Sequence, residues 1–114
     1  MIARLSLFFP AMVENVQLHQ ATLHDLCRKF CVRRLELFGS AVTDHFDPVA
    51  SDFDFLVEFE LNSPLGPFHQ YFDLLLAMEE LFGRPVDLVE ASAIRNPYFR
   101  QAVERGPRTL LYAA

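Results

Sequence analysis

The sequence predicts a small α/β domain in which helices pack on a mixed sheet. Segments whose apolar residues recur at helical spacing alternate along the chain with short segments whose apolar residues recur at every second position. Gly and Pro residues separate these segments. No repeat and no long linker divides the sequence. We therefore expect a single domain over residues 13–114, preceded by residues 1–12 as an N-terminal extension of undetermined role.

Three segments have the helical pattern. The first runs from about Val13 to Phe30, the second from Phe68 to Phe82, and the third from about Asn96 to Arg105. Gly83 is suited to the position after the second helix, and Pro97 is favoured in the first turn of the third. The third helix either covers the sheet or forms an oligomer interface with its apolar side chains, which are Tyr98, Phe99 and Val103.

Four segments have the strand pattern. They are residues 34–38, 52–59, 85–90 and 109–112. In the second of these, side chains alternate between two faces. One face carries Phe53, Phe55, Val57 and Phe59, and the other carries Asp52, Asp54, Leu56 and Glu58. We expect the Phe-rich face to pack in the core and the other face to present carboxylates.

The composition excludes several classes of protein. With 114 residues, 52% of them apolar and twelve of them Phe, the chain has enough apolar side chains for one core. The net charge of −5 argues against binding along a nucleic-acid backbone, which requires Lys and Arg to neutralise phosphates. The apolar stretch over residues 1–10 is too short to span a bilayer. These features predict a cytoplasmic protein that has no membrane segment.

Two cysteines, Cys27 and Cys31, lie four residues apart in a stretch with helical spacing at the end of the first predicted helix. Residues at this spacing share a helix face, so we expect both thiols to pack as small apolar groups. Two cysteines are too few for a disulfide-rich secreted domain, and no histidine lies at zinc-ligand spacing beside them.

Three aspartates form a candidate metal site. Asp52 and Asp54 share one strand face with Cα atoms about 6.5 Å apart, so both carboxylates reach the same small volume. Oxygen ligands without His or Cys favour Mg²⁺ or Mn²⁺ over zinc. Asp87, between Val86 and Leu88, is an isolated acid in an apolar run, and a shared metal would be its partner. Three carboxylates can hold two cations about 3.5–4 Å apart, as in phosphoryl transfer.

The dipeptide Gly39-Ser40 is a candidate phosphate site because it follows a predicted strand. Glycine allows the backbone N–H groups to approach a phosphate, and the serine hydroxyl adds a donor. Each element alone is weak, since Gly-Ser pairs mark ordinary turns and Asp-x-Asp pairs occur by chance. The hypothesis depends on their combination and order along the chain.

The segments that carry this combination resemble the minimal nucleotidyltransferase (MNT) family of the DNA polymerase beta superfamily. They are Leu37-Phe38-Gly39-Ser40, Ser51-Asp52-Phe53-Asp54-Phe55-Leu56-Val57 and Gly83-Arg84-Pro85-Val86-Asp87-Leu88-Val89. The segment from Arg95 to Tyr112 resembles the last helix and tail of the family. The resemblance implies a polymerase-beta-like nucleotidyltransferase fold.

The resemblance also implies an activity and its residues. Asp52 and Asp54 would bind two Mg²⁺ ions, Asp87 would join one of them, and all three would be catalytic. Gly39 and Ser40 would hold the triphosphate of ATP. An acceptor hydroxyl would attack the α-phosphorus in line, and pyrophosphate would leave, so that AMP is transferred.

Family members of this size are often antitoxins encoded beside a HEPN ribonuclease toxin, and some transfer AMP to a tyrosine of that toxin. The resemblance therefore implies a HEPN protein as the acceptor.

One departure favours an alternative function. Relatives usually place an arginine and then a glycine after Gly-Ser, whereas this chain continues Ala41-Val42-Thr43-Asp44. Arg33, Arg34 and Arg84 are the candidates to replace that cation. If none does, the chain would be a degenerate binding module that neutralises its partner by contact alone. We favour activity, because three acids kept together without a metal would carry an electrostatic cost. Transfer to RNA is disfavoured by the lack of a basic stripe.

Overall fold

The computed structural model describes residues 16–39 and 53–114. In chain order the elements are α1 (Gln20–Lys29), β1 (Val32–Phe38), β2 (Phe53–Phe59), α2 (Gly66–Phe82), β3 (Val86–Glu90), α3 (Pro97–Arg105) and β4 (Arg108–Ala113). A single 3₁₀ turn, Ala91–Ala93, follows β3. The predicted α/β class is confirmed, with every predicted strand present. Residues 1–12 lie outside the described residues.

The four strands form one mixed sheet in the order β3-β2-β1-β4. Strand β1 is antiparallel to both of its neighbours, β2 and β4, whereas β2 and β3 run parallel. The parallel pair is connected through α2, which is the usual crossover between parallel strands. This order places β2 and β3 side by side, and therefore brings their side chains together on each face.

One face of the sheet packs against α1 and α2 to form the core. The Phe-rich face of β2 is buried, with Phe53 and Phe55 fully inaccessible to solvent. Phe82, near the end of α2, places its ring 5.7 Å from that of Phe55 in a stacked arrangement. Burying a side chain of this size stabilises the fold by about 1.5–3 kcal/mol. The core also includes Leu23, Cys27, Leu35, Leu37, Leu74, Met78 and Leu88.

The opposite face of the sheet is partly covered by α3. Val103 of α3 is 5% exposed and lines a cavity together with Leu56 of β2, which is 8% exposed. The side chain of Asn96 caps this helix by accepting hydrogen bonds from the backbone N–H groups of Tyr98 and Phe99. Tyr98 itself is largely exposed. Val103 therefore covers the sheet, which is one of the two roles that the sequence allowed for the apolar side chains of this helix.

Helix boundaries differ from the predicted ones, and α1 begins at Gln20 rather than at about Val13. Helix α2 begins at Gly66 rather than at Phe68, because Pro67 is accommodated in the first turn, where its missing N–H costs nothing. Helix α1 ends at Lys29, and Cys31 lies beyond it with a positive φ of 56°. The prediction that Cys27 and Cys31 share a helix face is therefore wrong. Within the described residues, no helix is both long enough and apolar enough to cross a membrane.

The two cysteines should differ sharply in reactivity. Burial raises the pKa of the Cys27 thiol from 9.0 to about 12, although the neighbouring Arg28 opposes the shift. Cys31 is only half-buried. We expect a thiol reagent at pH 8 to label Cys31 rapidly in the folded protein and Cys27 only after unfolding, as peptide mass mapping would show. Equal labelling rates would contradict this burial. Because the folded pKa is raised, the contribution of Cys27 to stability is present below pH 9 and is lost as the pH rises towards 12.

Candidate active site

Asp54 and Asp87 face each other across adjacent strands. Asp54 of β2 pairs in register with Asp87 of β3, and neighbouring strands lie about 4.8 Å apart. Both side chains lie on the face opposite the core, because the flanking Phe53 and Phe55 are buried in the core and successive side chains alternate. Asp87 is exposed and Asp54 is half-buried. The sheet therefore brings together two of the three acids that the sequence singled out.

The reason why Asp87 has a partner differs from the predicted one. We expected its apolar neighbours to make an isolated carboxylate costly, but Val86 and Leu88 are buried on the core face while Asp87 is exposed on the other. Solvent alone is therefore sufficient to stabilise the negative charge of the Asp87 carboxylate. What indicates a shared ligand is its register with Asp54, because two carboxylates this close repel each other and a cation would offset that repulsion.

Gly39 closes the site on the β1 side. It directly follows β1 and has a φ of 74°, a left-handed conformation that side chains rarely adopt. A Cβ atom built on Gly39 would lie 2.9 Å from Oδ2 of Asp54. The glycine backbone therefore lies directly against this carboxylate. The predicted phosphate-binding residue Gly39 and the predicted metal ligand Asp54 are thus adjacent.

Two of the predicted site residues, Ser40 and Asp52, lie outside the described residues, as does the segment 41–44 in which the family arginine is lacking. In the part of the chain that the structure describes, no group of three His, Cys, Asp or Glu side chains is arranged to hold a metal ion. Asp54 and Asp87 supply two hard oxygen donors in register, which is a set that suits Mg²⁺ or Mn²⁺. The described residues are therefore compatible with such an ion.

Two side chains of helix α2 form hydrogen bonds with β3, the strand that carries Asp87. The Tyr71 hydroxyl donates a hydrogen bond of 2.5 Å to the backbone oxygen of Leu88, and the Glu79 carboxylate accepts one of 3.1 Å from the backbone N–H of Val86. Burial raises the pKa of Tyr71, and the negative charges of Asp87 and Glu90 raise it further. The phenol therefore stays protonated and keeps its bond to β3 across the neutral pH range.

A charged cluster that sequence reasoning missed lies on the same face. Glu36 is 7% exposed and accepts a 3.1 Å hydrogen bond from Nε of Arg34, and Nη1 of Arg108 lies 3.6 Å from the same oxygen. Arg108 pairs in register with Phe38, which in turn pairs with Asp54. The sequence feature that could have identified Glu36 is its position as an acid between two apolar residues of a predicted strand. The position of Arg108 depends on which strand β4 pairs with, and no local pattern shows that.

The candidates to replace the family arginine have different surroundings. Arg34 is engaged by Glu36, and Arg33 is exposed. The Arg84 guanidinium lies 4.7 Å from the centre of the Phe53 ring, at the end of the sheet where β2 begins. Because the Phe53 ring lies on the core face and Asp54 on the opposite face, this contact places Arg84 near that end of the sheet but does not by itself place it beside the Asp54 carboxylate.

Replacing Gly39 with Ala should destabilise the protein more than the same change at Gly83. Both glycines have a positive φ, of 74° and 66°, so each Ala should cost about 1–2 kcal/mol in backbone strain. Nothing lies within 4 Å of a Cβ atom at Gly83, whereas the Cβ atom at Gly39 meets the Asp54 carboxylate. We expect Gly39→Ala to cost about 1 kcal/mol more than Gly83→Ala in urea denaturation. Equal costs would contradict the close approach of Gly39 to Asp54.

Comparison with known sequences identifies similar proteins. The sequence model of a family described as nucleotidyltransferase domain matches residues 20–108. Two proteins of Methanocaldococcus jannaschii, both named "Putative protein adenylyltransferase", are similar to the chain. One is 33% identical over 91 residues, which cover 80% of this chain and 86% of the relative. The other is 35% identical over 79 residues, which cover 69% of this chain and 76% of the relative.

Comparison with solved structures gives the same result. A structure described as "putative minimal nucleotidyltransferase" is 30% identical with a TM-score of 0.65, covering 82% of this chain and 90% of that one. The MNT antitoxin fold also appears in a complex described as a tri-AMPylated Shewanella oneidensis HEPN toxin with its MNT antitoxin. That match is 21% identical with a TM-score of 0.56, covering 86% of this chain and 72% of that one, and it shows the fold alone. The resemblance predicted from the sequence motifs is confirmed.

Proposed function

The chain belongs to the nucleotidyltransferase family, and from that premise we propose that it transfers AMP from ATP to a hydroxyl group of a partner protein, with Mg²⁺ as cofactor. The family establishes an enzyme that transfers a nucleoside monophosphate. The observation that carries the proposal is the register of Asp54 with Asp87 beside the Gly39 backbone, because it combines a cation site with a place for phosphate. The names of the two M. jannaschii relatives support AMP as the group transferred and protein as the acceptor.

The proposed acceptor is a HEPN-type toxin, so that the chain acts as its antitoxin. Support comes from the motif resemblance and from the shared fold with an MNT antitoxin solved in complex with a HEPN toxin. The net charge of −5 also suits a partner with a basic surface. Both ATP and Mg²⁺ are available in the cytoplasm, which is the location we propose.

We assign the binding roles as follows. Asp54 and Asp87, together with Asp52, would hold two Mg²⁺ ions, and Gly39 and Ser40 would hold the triphosphate. When bound, Mg²⁺ supplies positive charge that stabilises the charge developing on the phosphoryl oxygens. The described donors, Asp54 and Asp87, are oxygen ligands on a solvent-accessible sheet face, where substrate phosphates and water could supply the remaining ligands of such an ion.

The residues of the chain contribute orientation and electrostatics. The lack of a side chain at Gly39 leaves room for the Asp54 carboxylate, and Tyr71 holds β3 so that Asp87 stays opposite Asp54. The acceptor oxygen forms a bond to the α-phosphorus while the bond to the bridging oxygen of pyrophosphate breaks. The hydroxyl proton passes to solvent, and pyrophosphate leaves. Orientation of the acceptor hydroxyl and the α-phosphorus in line is the source of rate acceleration that this geometry supports.

Intact mass spectrometry tests the proposed function. The purified chain is incubated with ATP, Mg²⁺ and a purified HEPN-type toxin, and the mass of that partner is followed over time. We expect the partner to gain the mass of one or more AMP groups, with equimolar release of pyrophosphate, and EDTA to abolish both. A partner that is neutralised without any gain in mass would overturn the proposal in favour of inhibition by contact alone.

A further inference from the structure

An apolar cleft lies beside the candidate site, between the end of β1 and α3. It has a volume of about 200 Å³ and is lined by Phe38, Gly39, Phe99, Ala102, Val103 and Pro107. We call it the α3 cleft. It lies on the same sheet face as the carboxylate pair, because Phe38 pairs in register with Asp54. The α3 cleft and the candidate site therefore share one side of the molecule.

Gly39 borders both the α3 cleft and the candidate site. The same residue that lines the α3 cleft lies against the Asp54 carboxylate, at 2.9 Å between a Cβ atom built on it and Oδ2. A ligand whose phosphates occupy the proposed site at Gly39 and Asp54 therefore has the α3 cleft directly beside it. The two volumes are adjacent parts of one binding surface.

The chemistry of the α3 cleft suits a flat aromatic ring. Phe38 and Phe99 contribute two aromatic side chains to its lining, and none of the described residues that line it is charged. A phosphate would lose its hydration there without compensation, whereas a nucleobase that stacks on an aromatic ring gains about 1–3 kcal/mol. The volume is several times the roughly 30 Å³ of one water molecule, so it accommodates a ring system.

The neighbouring cavity on this face has the opposite character. It measures about 270 Å³, and its lining includes Arg34, Glu36, Arg100 and Arg108. Val103 lines both cavities, so α3 separates a charged part of the face from an apolar part. An uncharged ring would therefore be retained in the α3 cleft rather than in the charged cavity.

Strand order determines which reactant the α3 cleft serves. Asp87 lies on β3 and Gly39 follows β1, with β2 and Asp54 between them. We place Asp87 beside the attacking hydroxyl of the acceptor, so the acceptor comes from the β3 side of Asp54, whereas the α3 cleft is on the β1 side. The group that enters the cleft thus belongs to the nucleotide. We propose that the α3 cleft binds the base of the nucleotide donor, an inference that rests on the proposed function.

Calorimetry with two ligands tests this assignment. ATP and inorganic tripolyphosphate, each with Mg²⁺, are titrated into the full chain and into Ala102→Leu, which fills the α3 cleft at an exposed helix position. The matched control is Gln101→Leu, which adds the same side chain to the adjacent exposed position of α3 outside the cleft. We expect Ala102→Leu to weaken ATP binding at least tenfold and to leave tripolyphosphate binding within twofold. Gln101→Leu should change neither, and circular dichroism should show unchanged folding for both.

The results of these titrations distinguish a failure of the base-site assignment from a failure of the proposed function. If Asp54→Asn weakens tripolyphosphate binding but Ala102→Leu leaves ATP binding unchanged, the phosphate site stands and the base assignment is overturned. If Ala102→Leu lowers the rate of AMP transfer without changing ATP affinity, the cleft serves the acceptor, which also contradicts the assignment. If the chain binds neither ligand, both the proposed function and the base site fail.

Discussion

Replacing Asp54 with Asn should reduce the rate of AMP transfer by about three orders of magnitude or more. The change removes one negative charge from the carboxylate pair and preserves the shape of the side chain. Loss of a cation ligand removes several kcal/mol of transition-state stabilisation, and each 1.36 kcal/mol corresponds to a tenfold change in rate. Because Asp54 also lies against Gly39, where we place the triphosphate, affinity for ATP and Mg²⁺ should fall at least tenfold. Single-turnover transfer and calorimetry measure the two effects.

Asp73→Asn is the matched control for this variant. Asp73 lies on α2, half-buried, and its carboxylate is 3.2 Å from Nδ1 of His69. The substitution Asp73→Asn removes the same charge from a position outside the candidate site. Both the transfer rate and ATP affinity should therefore stay close to those of the wild type. Transfer by Asp54→Asn at the wild-type rate would remove Asp54 from the mechanism.

Replacing Asp87 with Asn should separate nucleotide binding from transfer. Asp87 lies on the far side of Asp54 from Gly39, and we place it beside the attacking hydroxyl rather than beside the triphosphate. An interaction of this kind contributes mainly in the transition state, so its loss lowers the rate more than the affinity. We expect ATP and Mg²⁺ to bind within a few-fold of the wild type while AMP transfer falls by orders of magnitude. Protection of cells against the proposed HEPN toxin should be lost in parallel.

Glu90→Gln provides the control on the same strand. Glu90 ends β3 and points to the opposite face from Asp87, because it lies three residues further along an alternating strand. This variant should transfer AMP at close to the wild-type rate. If Asp87→Asn protects cells as well as the wild type and the partner never gains the mass of AMP, contact alone is sufficient and the catalytic assignment is wrong.

The local pattern of the sequence was sufficient to predict the elements of the fold. Strict alternation in β2 identified its buried Phe face, and the glycine after Phe82 marked the end of α2. The pattern of apolar residues was insufficient at positions where the chain is neither a regular helix nor a regular strand. Cys31 has helical spacing from Cys27, but the chain has already left the helix through a positive φ. Likewise, the sequence pattern predicted that the second helix begins at Phe68, whereas Pro67 already lies within the first turn of α2.

The candidate site was predictable in its residues and not in its geometry. Alternation showed which face Asp54 occupies, but only strand order shows that β3 is the neighbour that places Asp87 beside it. The same limit explains why the ion pair between Glu36 and Arg108 was missed, since it depends on β4 pairing with β1. The contact of Gly39 with Asp54 is also a product of tertiary structure. Residues far apart in the sequence meet through the sheet, and local patterns carry no information about that pairing.

A Mn²⁺ titration followed by electron paramagnetic resonance tests most directly whether Asp54 and Asp87 hold a divalent cation together. The titration compares the wild type, Asp54→Asn, Asp87→Asn, the double variant and the control Asp73→Asn. We expect each single substitution at the pair to weaken Mn²⁺ binding and the double variant to bind no more weakly than Asp54→Asn alone, because the two carboxylates share a site. Unchanged Mn²⁺ affinity in both single variants, or effects that simply add in the double variant, would contradict a shared cation site.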